Sequence, residues 1–228
     1  KKMKNIFRRI INRDFSGNTG LAIKNSTYQF STNLTGKFGA LIFTVILARI
    51  ILPETFGLYS LALSTVMFFY VFSDLGVNQA LIFFSAKNLN KNKGKAKAYI
   101  SYLFKIKLLL ALASAIILIV LARAISENYY KQPIFLVLIA GSLYMIFTSL
   151  QSFYLALSQS NNNFRNPLIK EIFLQSSRII AIPLIIVYLR KFGPTSSSNV
   201  LAIFVSLLVI SILSLLLLYY LSLKNLKL

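Results

Sequence analysis

Apolar residues along this chain fall into six long blocks separated by short polar segments. They cover about residues 26–51, 58–85, 103–121, 133–157, 168–189 and 200–223. A helix rises 1.5 Å per residue, so roughly 20 apolar residues cross the ~30 Å hydrocarbon layer of a membrane. Residues 132–164 and 192–223 carry no charge at all. The pattern predicts an all-α, polytopic membrane protein whose residues 25–228 form a six-helix transmembrane bundle. Breaks between blocks carry turn chemistry. Pro53 and Gly57 follow the first span, residues 158–167 are rich in Asn, and Gly193 and Pro194 precede the last span. Gly76 marks a bend in the second span, and Pro183 predicts a kink in the fifth by removing the bond to the Ile179 carbonyl. Residues 1–24 form a separate basic amphipathic segment. There Ile6, Phe7, Ile10 and Ile11 repeat at helical spacing beside Arg8, Arg9 and Arg13, until Gly17 and Gly20 break the pattern. Such a segment lies on an anionic leaflet.

Composition agrees. Hydrophobic residues make up 57% and charged residues 13%, against about 25% charged in a soluble domain. Twenty-five Lys and Arg oppose five Asp and Glu, for a net charge of +20. In a soluble protein that balance points to nucleic acid. Here the basic residues lie between spans, where they set orientation and meet anionic lipid, so no nucleic-acid partner is expected. Eighteen fall on the side of the N-terminus, the 2–3 loop, the 4–5 loop and the C-terminal tail, and five on the other. The positive-inside rule therefore puts both termini on the cytoplasmic side of the cell membrane. With no Cys and no His, disulfides, thiolate or imidazole metal sites and the commonest nucleophile–base pairs are excluded. No Gly-rich phosphate loop is present. Neither catalytic residues nor a metal or other cofactor is expected.

Charges deep in a span cost about 2.5–3.5 kcal/mol each and call for a reason. Lys37 lies twelve residues before Arg49 in the first span, and Gln29, Asn33, Gly36, Lys37, Ala40 and Thr44 share one helical face. In the second span Tyr70, Asp74 and Asn78 share a face. In the fifth, Glu171, Gln175 and Arg178 do so. One reading is a water-filled cationic cavity lined by spans one, two and five, with Gln29, Asn33, Lys37, Asp74, Asn78, Gln175 and Arg178 as its lining. The other is structural: Lys37 snorkels, Asp74 lies near the inner interface, and Arg178 pairs with Glu171 or Asp74. The third and sixth spans, with little beyond Ser and aromatic groups, are expected to be peripheral and lipid-facing.

The segment from Leu47-Ala48-Arg49 through Pro53-Glu54-Thr55-Phe56-Gly57-Leu58-Tyr59 resembles the "LARxLGPxxFGxY" signature of polysaccharide-biosynthesis flippases. Ser73-Asp74-Leu75-Gly76 with Ala80-Leu81 resembles their "ADLGxxxAL" segment. The likeness covers residues 24–90 and belongs to the multidrug/oligosaccharidyl-lipid/polysaccharide exporter superfamily. It implies two pseudo-symmetric bundles moving a polyprenyl-pyrophosphate-linked oligosaccharide by alternating access. Lys37 and Arg178 would then meet the pyrophosphate, and Asp74 would serve helix contacts or ion coupling. Two positions depart from the pattern. Ala40 stands where the family often has Gly, displaced here to Gly39, and Phe83 stands where many members carry a basic residue.

One bundle cannot form an alternating-access pathway between two. The chain is thus expected either to be part of a longer protein or to pair with a second six-helix bundle on a partner chain. The start at Lys1 and the end at Leu228 favour the former. The competing functions are a cation-coupled multidrug antiporter of the same superfamily, which calls for an acidic cavity, a membrane-embedded transferase, which calls for acid–base groups that are scarce here, and a non-transporting structural subunit.

Overall fold

A computed structural model describes residues 17–89, 93–189, 191, 193 and 195–225. The regular elements described are helical: α1 (Gly17–Ile50), α2 (Pro53–Val71), α3 (Val77–Leu89), α4 (Lys93–Arg123), a π-helical turn (Ala124–Tyr130), α5 (Phe135–Ser160), α6 (Arg165–Leu189) and α7 (Ser196–Asn225). Among the described residues, six stretches are long and apolar enough to cross a membrane: Gly20–Ile50, Pro53–Val71, Gly94–Tyr130, Phe135–Ser160, Arg165–Leu189 and Ser196–Ser222. The basic segment expected over residues 1–24 lies outside the described residues up to 16. Residues 17–24, with Gly17 and Gly20, already belong to α1.

Local chemistry sets the element ends. Leu52 is extended (φ −64°, ψ 151°), Pro53 occupies the first helical position of α2, and Glu54 sits in its first turn. There the fixed proline φ and a negative charge both suit a helix N-terminus. The π-helical turn closes on Lys131 in the left-handed region, with Ser126 Oγ donating to the Gln132 carbonyl at 2.6 Å. The Asn cluster between α5 and α6 has a conformational use. Asn162 adopts φ 55°, which Asn tolerates better than most residues, and Asn163 Oδ1 accepts the Asn166 N–H as α6 begins. Helix α6 runs on through Pro183.

The second span is broken, not merely bent. Residues 72–76 leave the helix, with Leu75 (φ 40°) and Gly76 (φ 86°) both left-handed, and α3 restarts at Val77. Glycine takes this conformation freely, and leucine does so at a cost.

Helices α5 and α7 pack along each other at the centre, α4 lies against α5, α6 against α7, and α1 joins chiefly through α6. This corrects the expectation for the sixth span. Its most apolar stretch is 44% buried, equal to α5, whereas those of α1 and α6 are 17% buried. The reason lies in its serines. Between membrane helices, small residues that permit close approach drive packing. Ser206, Ser211 and Ser214 are buried, and Gln151 Nε2 donates to the Ser211 carbonyl at 2.8 Å. Gly141 of α5 fits against Val66 and Phe204, where a β-carbon would collide. The third span is peripheral only on one face: Ala111, Ala115, Leu118 and Ala122 of α4 are buried.

The core divides in two. The larger cluster includes Phe43, Leu47, Tyr59, Val66, Leu118, Met145, Ile182 and Phe204. The smaller holds Val77, Leu81, Leu103, Phe153, Ala156 and Leu157. Along α4 and α5 the polar residues Lys107, Ser149, Gln151 and Ser152 lie between the two, which gives the bundle a polar layer midway.

Candidate functional site

The residues singled out in the spans form two separate networks. The first is built on the break in the second span. Lys107, fully buried on α4, donates to Asp74 Oδ1 at 2.8 Å, and the side chain of Asp74 is 27% exposed. The same oxygen accepts the backbone N–H of Asn78 at 3.2 Å, in the first turn of α3. Two donors and the positive end of a helix thus converge on this carboxylate. Asn78 Nδ2 reaches Ser152 Oγ of α5 at 3.1 Å, and the Tyr70 side chain lies beside the same serine. Asp74 is therefore the counter-ion of a buried lysine, not a partner of Arg178.

The second network joins α6 to α1. Gln175 Nε2 donates to Glu171 Oε1 at 2.8 Å and reaches the Gly36 carbonyl at 3.4 Å. Lys170 Nζ lies 3.3 Å from Glu171 Oε2, and both side chains are largely buried. A β-carbon on Gly39 would stand 2.6 Å from Gln175 Cγ. Gly39 thus forms the notch in α1 that receives Gln175 of α6. The Arg178 guanidinium stacks 4.4 Å over the Phe43 ring and lies beside Tyr59. Its buried Nε has no hydrogen-bond partner, and among the described residues it has no acidic partner, because Glu171 is taken by Lys170 and Asp74 by Lys107. Farther along α1, Gln29 Nε2 donates to Asn33 Oδ1 at 3.3 Å, and Gln159 Nε2 reaches Gln29 Oε1 at 3.5 Å.

Lys37 is exposed and makes no hydrogen bond or ion pair with any described residue. It stands near the middle of the Gly20–Ile50 stretch. Leu34, Phe38, Leu41 and Val45 around it are also exposed.

Gln29, Asn33, Lys37, Gln175 and Arg178 are thus gathered on the α1–α6 pair, while Asp74 and Asn78 belong to the network at the break in the second span, which reaches α4 through Lys107 and α5 through Ser152. Tyr144 of α5 is close enough to both Tyr59 and Tyr70 to interact electrostatically with each. Sequence reasoning missed Lys107, which was counted with the loop lysines although it lies inside the apolar block that begins at 103. An Asp74 inside a span, in need of a counter-ion, was the available signal. It also missed Lys170 as the partner of Glu171. Among the described residues no group of His, Cys, Asp and Glu could hold a metal ion.

Neither the curated proteins nor the solved structures contain a match to the chain. Residues 22–227 match the profile of the family described as "Polysaccharide biosynthesis protein". The profile spans nearly the whole chain, its six membrane-length helices included, and the chain belongs to that family of membrane proteins.

Proposed function

We propose that this bundle is one lobe of a transporter that carries a polyprenyl-pyrophosphate-linked oligosaccharide across the cytoplasmic membrane. The observation that carries the reading is Lys37, an exposed ammonium midway along a membrane helix with no partner among the described residues. A bare cation at that depth is costly, so its partner lies outside the bundle. A pyrophosphate passing along α1 meets that need. Arg178 strengthens it, since its buried Nε is unpaired and its guanidinium lies on the same helix pair. The exposed apolar residues of α1 support a second six-helix bundle, on the same or a partner chain, as the opposite wall of the pathway. In this reading both termini face the cytoplasm.

The antiporter alternative asks for a free carboxylate. Both Asp74 and Glu171 are held by lysines, which favours an anionic substrate. The test is translocation of a fluorescent lipid-linked oligosaccharide by the reconstituted full-length protein. Lys37→Ala and Arg178→Ala are expected to lower the rate at least about ten-fold, since a hydrogen bond to a charged group contributes about 1.5–3 kcal/mol, and Lys37→Arg to retain most of it. Wild-type rates in both alanine variants would remove the assignment.

A further inference from the structure

The hairpin where α3 meets α4 carries a feature that neither network uses. Phe83 and Tyr102 are 61% and 63% exposed. Phe84 of α3 stacks on Tyr99 of α4, with centroids 5.3 Å apart and planes 20° from parallel. Lys87 Nζ sits 5.9 Å above the Phe83 ring. On α4, Lys95, Tyr99, Tyr102 and Lys105 follow one another at helical spacing along neighbouring stripes, and Lys87 and Lys105 are exposed. No acidic residue occurs between Asp74 and Glu127. The patch therefore combines the exposed lysines Lys87 and Lys105 with exposed aromatic rings, placed where a polar loop passes into an apolar span.

We propose that this aromatic–lysine face binds the headgroup of an anionic phospholipid in the leaflet at which the second and third spans are joined. Amphipathic aromatic rings settle at headgroup depth, where the exposed faces of Phe83 and Tyr102 find acyl chain and glycerol. Lysines at that level attract anionic headgroups. The Phe84–Tyr99 stack fixes the two helices side by side, so that both contribute lysines and aromatic rings to one lipid-facing surface. A soluble acidic partner fits less well, because it would leave Phe83 and Tyr102 uncovered. The site is distinct from the Lys37–Arg178 region and stands whether or not the transporter reading does.

The chain contains no Trp, so a single tryptophan reports one place. The full chain carrying Phe83→Trp is reconstituted in vesicles containing phosphatidylcholine with bromine on the acyl chains, and separately in vesicles with equally brominated phosphatidylglycerol at the same mole fraction. The indole is expected to be quenched more strongly by phosphatidylglycerol, whereas Leu213→Trp, on the exposed face of α7, is quenched alike by both. Adding Lys87→Ala and Lys105→Ala to Phe83→Trp brings its preference down to that of Leu213→Trp, by up to about five-fold for each lysine. The corresponding Arg variants keep it. Equal quenching of Phe83→Trp by the two lipids, a preference that survives loss of both lysines, or the same preference at Leu213→Trp would each overturn the site. The last would reduce it to attraction by the net charge of the whole chain.

Discussion

The ion pair between Lys107 and Asp74 is unequal, and the inequality can be measured. Lys107 is wholly buried, and among the described residues its ammonium pairs with Asp74, at 2.8 Å. Asp74 keeps 27% of its side chain exposed and has a second donor in the Asn78 N–H at 3.2 Å. Asp74→Ala thus strands an ammonium in the bundle, which costs about 3–5 kcal/mol. Lys107→Met instead puts a flexible apolar chain in the lysine's place and leaves a carboxylate that still has a donor, a helix N-terminus and some solvent. Its cost is that of one charged hydrogen bond, about 1.5–3 kcal/mol. The double variant Asp74→Asn with Lys107→Met removes both charges together and falls within about 1 kcal/mol of wild type, because a buried pair offers little net gain over neutral groups of similar size. Thermal unfolding in detergent micelles reads all three, with about 2–4 °C expected per kcal/mol for a chain of this length. The order predicted, from most to least harmful, is Asp74→Ala, Lys107→Met, double variant. Equal losses for the two single variants, or a double variant no more stable than Lys107→Met, would refute the reasoning.

Other consequences can be checked singly. Gly39→Ala drives a methyl group into Gln175, so α1 and α6 must part, at a cost of about 1–3 kcal/mol in the same unfolding assay. Gly76→Ala meets open space but sits at φ 86°. It is expected to lose about 1–2 kcal/mol through backbone strain alone, whereas Gly57→Ala, equally uncrowded but helical, is neutral or gains up to about 1 kcal/mol. Because the chain has no Cys, single cysteines report topology. An impermeant maleimide applied to intact cells should label Ser197→Cys and spare Asn162→Cys, and the reverse pattern would invert the orientation.

What the sequence determined by itself is the number, type and approximate extent of the spans, because hydrocarbon thickness imposes a length on every apolar helix whatever its neighbours. The family motifs around Pro53 and Asp74 were equally local, since a turn or a helix break is written in a few adjacent residues. Which helices stand at the centre was decided only by tertiary structure. Ser206, Ser211 and Ser214 have the same composition on a lipid-facing helix as on a central one. Only the closeness of α5, with Gln151 reaching the Ser211 carbonyl, makes them interface. The charge pairs were decided in the same way. Periodicity could place Asp74, Gln175 and Arg178 on faces, but not say that Lys107 would come from thirty-three residues away to meet Asp74 while Arg178 was left without an acid. A helical face is a property of one segment. A counter-ion is a property of two, and only packing brings them within 3 Å.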